Sequence, residues 1–195
     1  MAELATSRSI VDRMVRAARL DVSLYEEVEA DITATNQALM VVVLVAVAAG
    51  IGQAIAASTS GPGSPGIIGP VIGSVVSALL GWAVWSYVVY FVGTRFMGGT
   101  ATYGELLRTL GFAETPSILL ILSFIPILGG LASLVALVWR LIAGFIATRQ
   151  ALDLDNTRTL ITILLGLVAL VIVVTIVGAI VAAIFGAGVL VGRMF

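Results

Sequence analysis

The chain contains no cysteine and no histidine, and its ten basic residues are all arginine. Thiolate chemistry, disulfides, zinc sites and His-based acid–base catalysis are therefore excluded within it. Charge is also scarce. Only 11% of the 195 residues are charged and 60% are hydrophobic, with a mean hydropathy of +1.16. Soluble domains average about 45–50% apolar and ~25% charged residues, and no soluble core of this size could hide that much apolar surface. Runs of about 20 uncharged residues identify a polytopic membrane protein. The length suits one domain. A net charge of −1 gives no bulk attraction to nucleic acid. Residues 1–36 lack an uninterrupted apolar run, so no cleavable signal is expected there.

In chain order, residues 1–35 form a cytoplasmic arm and residues 36–195 a transmembrane domain. Ser9 and Asp12 are spaced as a capping box. Val11, Met14, Val15, Ala18 and Val22 then fall on one helical face, with Arg13, Arg16 and Arg19 on the other. Two roles suit this amphipathic helix. It can lie on the bilayer with its arginines near lipid phosphates, or dock a partner. Ser23 and Glu26 suggest a second capping box. Glu26, Glu27, Glu29 and Asp31 make an acidic cluster that is solvated, binds a basic partner or folds back on the arginines.

Five spans follow, at about 37–57, 67–92, 107–126, 128–148 and 160–185. Ala46, Gly50 and Ala54 form a small-residue stripe on the first. Gly69, Gly73, Ser77 and Gly81 form a helix-packing face on the second, and Gly178, Ala182 and Gly186 repeat the spacing on the fifth. Residues 58–65 are an uncharged turn. Trp82, Trp85, Tyr87 and Tyr90 gather towards the end of the second span, where an aromatic belt is expected.

The chain is organised around residues 104–155. The run from Pro116 to Pro126 is too short to cross a bilayer, which takes ~20 residues. Extended back to about Leu107 it becomes a bent helix, kinked near Pro116, with Thr115 placed to satisfy backbone carbonyls that the proline frees. The other arrangement is a re-entrant hairpin over 116–135 with three full spans. Pro126, Gly129 and Gly130 mark the turn. Glu114 lies twelve residues before Pro126 and Arg140 ten after Gly130, roughly 18 and 15 Å from the turn at ~1.5 Å per residue. The two are placed to meet near mid-membrane as an ion pair. Three roles fit it: a lock on helix register, snorkelling of either group to a headgroup, or a proton or substrate pathway.

Catalytic motifs are missing: there is no GxSxG, HExxH or P-loop, and a Ser/His pair is ruled out by composition. Asp153 and Asp155 read as a helix terminus, with Asp155 or Asn156 as cap. With the N-terminus inside, Arg8, Arg13, Arg16, Arg19, Arg95, Arg108, Arg149 and Arg158 lie at or near the cytoplasm and only Arg193 outside. The turns at 58–66 and 124–130 carry no charge. The expected topology is N-in, C-out.

The segment Gly98-Gly-Thr-Ala-Thr-Tyr-Gly-Glu-Leu-Leu-Arg-Thr-Leu-Gly-Phe-Ala-Glu-Thr-Pro116, the turn Ile125-Pro-Ile-Leu-Gly-Gly130 and the following helix with Trp139 resemble the Yip family, in its prokaryotic branch. The Yip family comprises the Ypt/Rab-interacting five-span membrane proteins. The resemblance covers about residues 37–185. Leu110-Gly-Phe-Ala-Glu-Thr-Pro116 looks like the family's Gly-aromatic-x-x-x-Pro element. The resemblance implies a five-span α-helical bundle in the inner membrane of a prokaryote. In eukaryotic members it goes with binding of prenylated small GTPases and shaping or tethering of early secretory membranes. The arm here is short, and Ser23-Leu-Tyr-Glu26 is a loose echo of the eukaryotic arm motif.

The expected function is a non-enzymatic membrane scaffold or adaptor. Its partners would be lipid and other membrane proteins or a second copy, with no cofactor and no metal. The alternative is a small transporter or channel subunit using Glu114 and Arg140.

Overall fold

The computed structural model describes the backbone of residues 9–58 and 66–192 and the side chains of 9–58 and 66–180. Every regular element among them is helical: α1 (Ile10–Ala18), α2 (Val22–Ala30), α3 (Ala34–Ser58), α4 (Ile68–Phe96), α5 (Tyr103–Ala113), a 3-10 segment (Thr115–Phe124), α6 (Leu128–Ala151) and α7 (Asn156–Gly192). Four of these, α3, α4, α6 and α7, are long and apolar enough to cross a bilayer. The α5 and 3-10 pair, bent by 42°, makes a fifth if counted as one span. The bent pair is a broken span or a re-entrant loop, and α6 follows it as one continuous helix of 24 residues from Leu128.

The bent segment gains length by changing helix type. At ~2.0 Å per residue, a 3-10 helix advances further than an α-helix at ~1.5 Å. The 10 residues of Thr115–Phe124 therefore cover roughly 20 Å, and the 11 of α5 roughly 16 Å. Together they come close to the roughly 36 Å of α6, against which both pack.

The bundle is built on α3. Its most apolar stretch is 56% buried, against 17% for α4, 22% for α6 and 11% for α7. Two glycines let neighbours approach it closely. A Cβ on Gly50 would stand 2.7 Å from Val71 Cα on α4, and one on Gly52 would stand 2.5 Å from the Leu120 carbonyl oxygen of the 3-10 segment. Ala46 and Ala54 are buried on the same stripe, and the Ser74 hydroxyl donates to Ala46 O at 2.7 Å.

Among the described residues, the small-residue face of α4 packs against no other helix. Gly69, Gly73, Ser77 and Gly81 are exposed, and a Cβ at Gly69, Gly73 or Gly81 would meet nothing within 4 Å. Contact with α3 runs instead through the neighbouring rows that carry Val71 and Ser74. Four-residue spacing tells which residues share a face, not which face turns inward. On α7, Gly178 is likewise open. The side chains of Ala182 and Gly186, the turn at 59–65, Arg8 and Arg193 lie outside the described residues.

The arm is docked. Ala17, Leu24 and Val28 share one core with Ala34, Ala38, Val41, Val45 and Phe112. Of the roles expected for the arm, folding back of its acidic cluster on the arginines is the one observed. Val11 and Val15 are exposed, while Arg13 is buried and Arg16 partly so; Arg19 stays exposed. The reason is electrostatic. Arg13 Nη2 meets Glu27 Oε1 at 3.0 Å and Asp31 Oδ2 at 2.7 Å, and its Nη1 donates to Gln37 Oε1 at 3.0 Å. Arg16 meets Asp21 Oδ2 at 2.8 Å and Glu27 Oε2 at 2.5 Å. The acidic cluster engages these two side chains with carboxylates held nearby on the same chain.

Caps also differ in detail. Ser9 caps α1 by accepting from Val11 N, but Asp21 rather than Ser23 caps α2. Asp155 caps α7, with Oδ1 accepting from Arg158 N at 2.9 Å. The α5 start carries a full capping box of Thr102 and Glu105.

Candidate functional site

Pro116 has no N–H and its ring crowds the carbonyl four residues back, which belongs to Phe112. The Thr115 hydroxyl donates to that same Phe112 oxygen at 2.7 Å. An unpaired buried carbonyl would cost about 1–3 kcal/mol; the hydroxyl removes that cost and lets the chain turn. Ser117 N donates to Glu114 O at 2.9 Å as the 3-10 geometry begins. Glu114 thus sits at the bend itself, as the last residue of α5's capping region. At the other end of the 3-10 segment, Pro126 and Ile127 form a tight turn in which Leu128 N donates to Pro126 O at 2.7 Å, with Ile127 at φ 67°. Gly129 is buried there, since a Cβ would stand 2.5 Å from Ser123 O, whereas Gly130 faces open space.

Arg140 lies near the middle of α6, twelve residues from Leu128 and eleven from Ala151, or roughly 18 and 16 Å from its ends. Its Nη2 stands 3.0 Å from Glu114 Oε1. The Glu114 side chain is 19% exposed and that of Arg140 52%. The pair therefore joins the bend to mid-α6, with the carboxylate inside and the guanidinium turned half outward. It faces a cavity of ≈ 380 Å³ between α4, α5, α6 and α7, lined by Trp82, Trp85, Glu114, Arg140, Phe145 and Leu167 among others.

A second polar constellation holds the arm to the bundle and was not anticipated from sequence. Arg108 on α5 is buried; its Nε donates to Val28 O at 2.8 Å and its Nη2 to Glu29 O. A cation is thereby set on the last carbonyls of α2, where the helix dipole favours it. Trp139 Nε1 donates to Ala18 O at 2.9 Å, and Gln150 Nε2 to Glu26 Oε1 at 2.8 Å. Trp82 Nε1 donates to Leu107 O at 3.0 Å, tying α4 to α5. Thr100 on the α4–α5 loop donates to Asp153 Oδ2 at 2.8 Å. α2, that loop and the α6–α7 turn therefore meet at one end of the bundle, while α1 reaches further, to Trp139 at mid-α6 and to the 3-10 segment.

Burial raises the Glu29 carboxyl to about 7, helped by the nearby Asp153, Glu105 and Glu26 and opposed by Arg108. Docking that holds a carboxyl above its ordinary value of 4.5 favours the protonated form. This group's penalty on docking is absent below pH ~4.5 and grows until the pH passes about 7. Asp21, held low by Arg16 and then Ser23, and Asp31, held low by Thr33 and then Arg13, act in the opposite sense, but only below their ordinary 3.8. From pH 8 to pH 6, α2 amides should gain protection in hydrogen exchange beyond the intrinsic rate change, and Glu29→Gln should flatten that dependence.

Helices of this length and apolarity, a proline-bent segment and an arginine at mid-helix define a multi-pass α-helical integral membrane protein. Residues 25–179 match the Yip1 domain, and the chain belongs to that family. No curated protein and no solved structure gives a significant match.

Proposed function

We propose that the protein is a non-enzymatic scaffold or adaptor of a prokaryotic inner membrane, spanning it five times with the N-terminus inside. Arginine placement supports the sidedness: Arg13, Arg16, Arg95, Arg108, Arg149 and Arg158 belong to elements at the arm end, and the Ile125–Ile127 turn has no charge. The observation that carries the scaffold reading is the outward face of α4. A stripe of Gly69, Gly73, Ser77 and Gly81 is where another helix can approach closely, and among the described residues no helix packs on it. The occupant is another membrane protein or a second copy.

The absence of native cysteine makes the test clean. Ser77→Cys should cross-link in native membranes to a product of defined mass, several-fold more than Leu134→Cys on the exposed face of α6. Gly73→Leu should abolish that product. Equal cross-linking at both positions, or none at Ser77→Cys, counts against lateral assembly through α4.

The cavity beside Glu114 and Arg140 favours one second reading, a small transporter or channel subunit. It requires that neutralising the pair abolishes flux while the fold survives.

A further inference from the structure

The cavity between α4, α5, α6 and α7 has a chemistry that selects its occupant, whichever partner α4 has. Its volume of ≈ 380 Å³ falls within the size of small-molecule sites. Its rim reaches the outer surface of the bundle: Leu137, Leu141 and Leu167 line it and are 53%, 63% and 46% exposed. Entry is therefore lateral, from the hydrocarbon. At its polar wall, Arg140 carries five N–H donors. Among the described residues, the acceptor that meets them is Glu114, through a single 3.0 Å contact of Nη2. N–H donors that open onto hydrocarbon lack water as a partner, so a ligand acceptor in the cavity is favoured over an empty one.

The pair is already neutral, so an anionic head would bring a net charge to mid-membrane depth, where it is costly. A phospholipid headgroup would have to leave the interface to reach Arg140. That leaves an uncharged acceptor that dissolves in the bilayer interior. Trp82, Trp85 and Phe145 line the same space, and the Trp82 N–H is already committed to Leu107 O. They offer flat aromatic surface rather than further donors, which suits a planar ring.

We propose that this cavity binds a neutral, ring-bearing carbonyl lipophile of the quinone class, its carbonyl accepting from Arg140 and its tail leaving between α4, α6 and α7.

The probe is a decyl benzoquinone added to the full chain in nanodiscs of synthetic, quinone-free lipid. The chain has three tryptophans: Trp82 and Trp85 line the cavity, and Trp139 donates to the arm. Quenching of their fluorescence should saturate with quinone. The saturable part should vanish in Trp82→Phe/Trp85→Phe, which keeps Trp139. Gly144→Leu, which fills the cavity at a glycine with open space around its Cβ, should weaken binding at least tenfold without touching the pair. Glu114→Leu/Arg140→Leu should do the same. Palmitate and decylbenzene should not compete. Quenching that rises only linearly with quinone in the bilayer, persists in folded Gly144→Leu, or is displaced equally by decylbenzene would overturn the proposal and leave an acyl-chain groove.

Discussion

Arg140→Leu should lower the stability of the folded protein by about 2–3 kcal/mol, below the ~3–5 kcal/mol of a fully buried pair because Arg140 is half exposed. Glu114 is then left with its side chain only 19% exposed and without its partner cation at the bend. Glu114→Leu should cost less. Arg140 is already half exposed and has a long stem that can carry its charge towards the interface. The double variant Glu114→Leu/Arg140→Leu should recover most of the loss, because an apolar pair suits lipid and cavity alike. Unfolding in mixed micelles measures all three. If the single and double variants lose the same stability, the two side chains are not coupled, and the bend is held by Thr115 and helix packing alone.

Arg13→Ala should release the arm. The Arg13 side chain is only 4% exposed and gathers Glu27 and Asp31 around itself. Removing it leaves two carboxylates close together without their shared cation, at a cost of about 3 kcal/mol. That corresponds to roughly a hundredfold larger population of the undocked arm. Trypsin reads this directly, since every tryptic site in the chain is an arginine and Arg16 and Arg19 remain in the variant. Cleavage there should accelerate about a hundredfold where opening limits access. An unchanged rate would show that Arg108 and Trp139 hold the arm without Arg13.

Much of this arrangement could be read from the residues. Depth counting along the chain placed Glu114 and Arg140 near one level and the observed pair is in contact, although the 3-10 rise of ~2.0 Å per residue sets Glu114 further from the turn than the ~1.5 Å counted. Pro116 announced a bend because its effect is local and covalent. What could not be read was handedness of exposure. The arginine face of α1 turns to Glu27 and Asp31, one of the roles expected for it, and the glycine face of α4 meets no helix among the described residues; periodicity defines faces and only tertiary partners orient them. For α1 the partners were visible in Glu27 and Asp31, and folding back had been one of the alternatives. The 3-10 geometry of Thr115–Phe124 had no sequence signal beyond its shortness. The Thr102–Glu105 box did have one, a Thr-x-x-Glu before an apolar run, and it starts α5 at Tyr103, four residues before the expected span.

The account rests on the bent segment crossing the membrane as a single span, so that Glu114 lies in its interior. Sidedness of two single cysteines in sealed vesicles tests this most directly. Gly130→Cys sits in open space beside the Pro126 turn, and Thr157→Cys is exposed where α7 begins, close to the Thr100–Asp153 contact. An impermeant maleimide should label Gly130→Cys from one side of the membrane and Thr157→Cys only from the other. Labelling of both from the same side would contradict it.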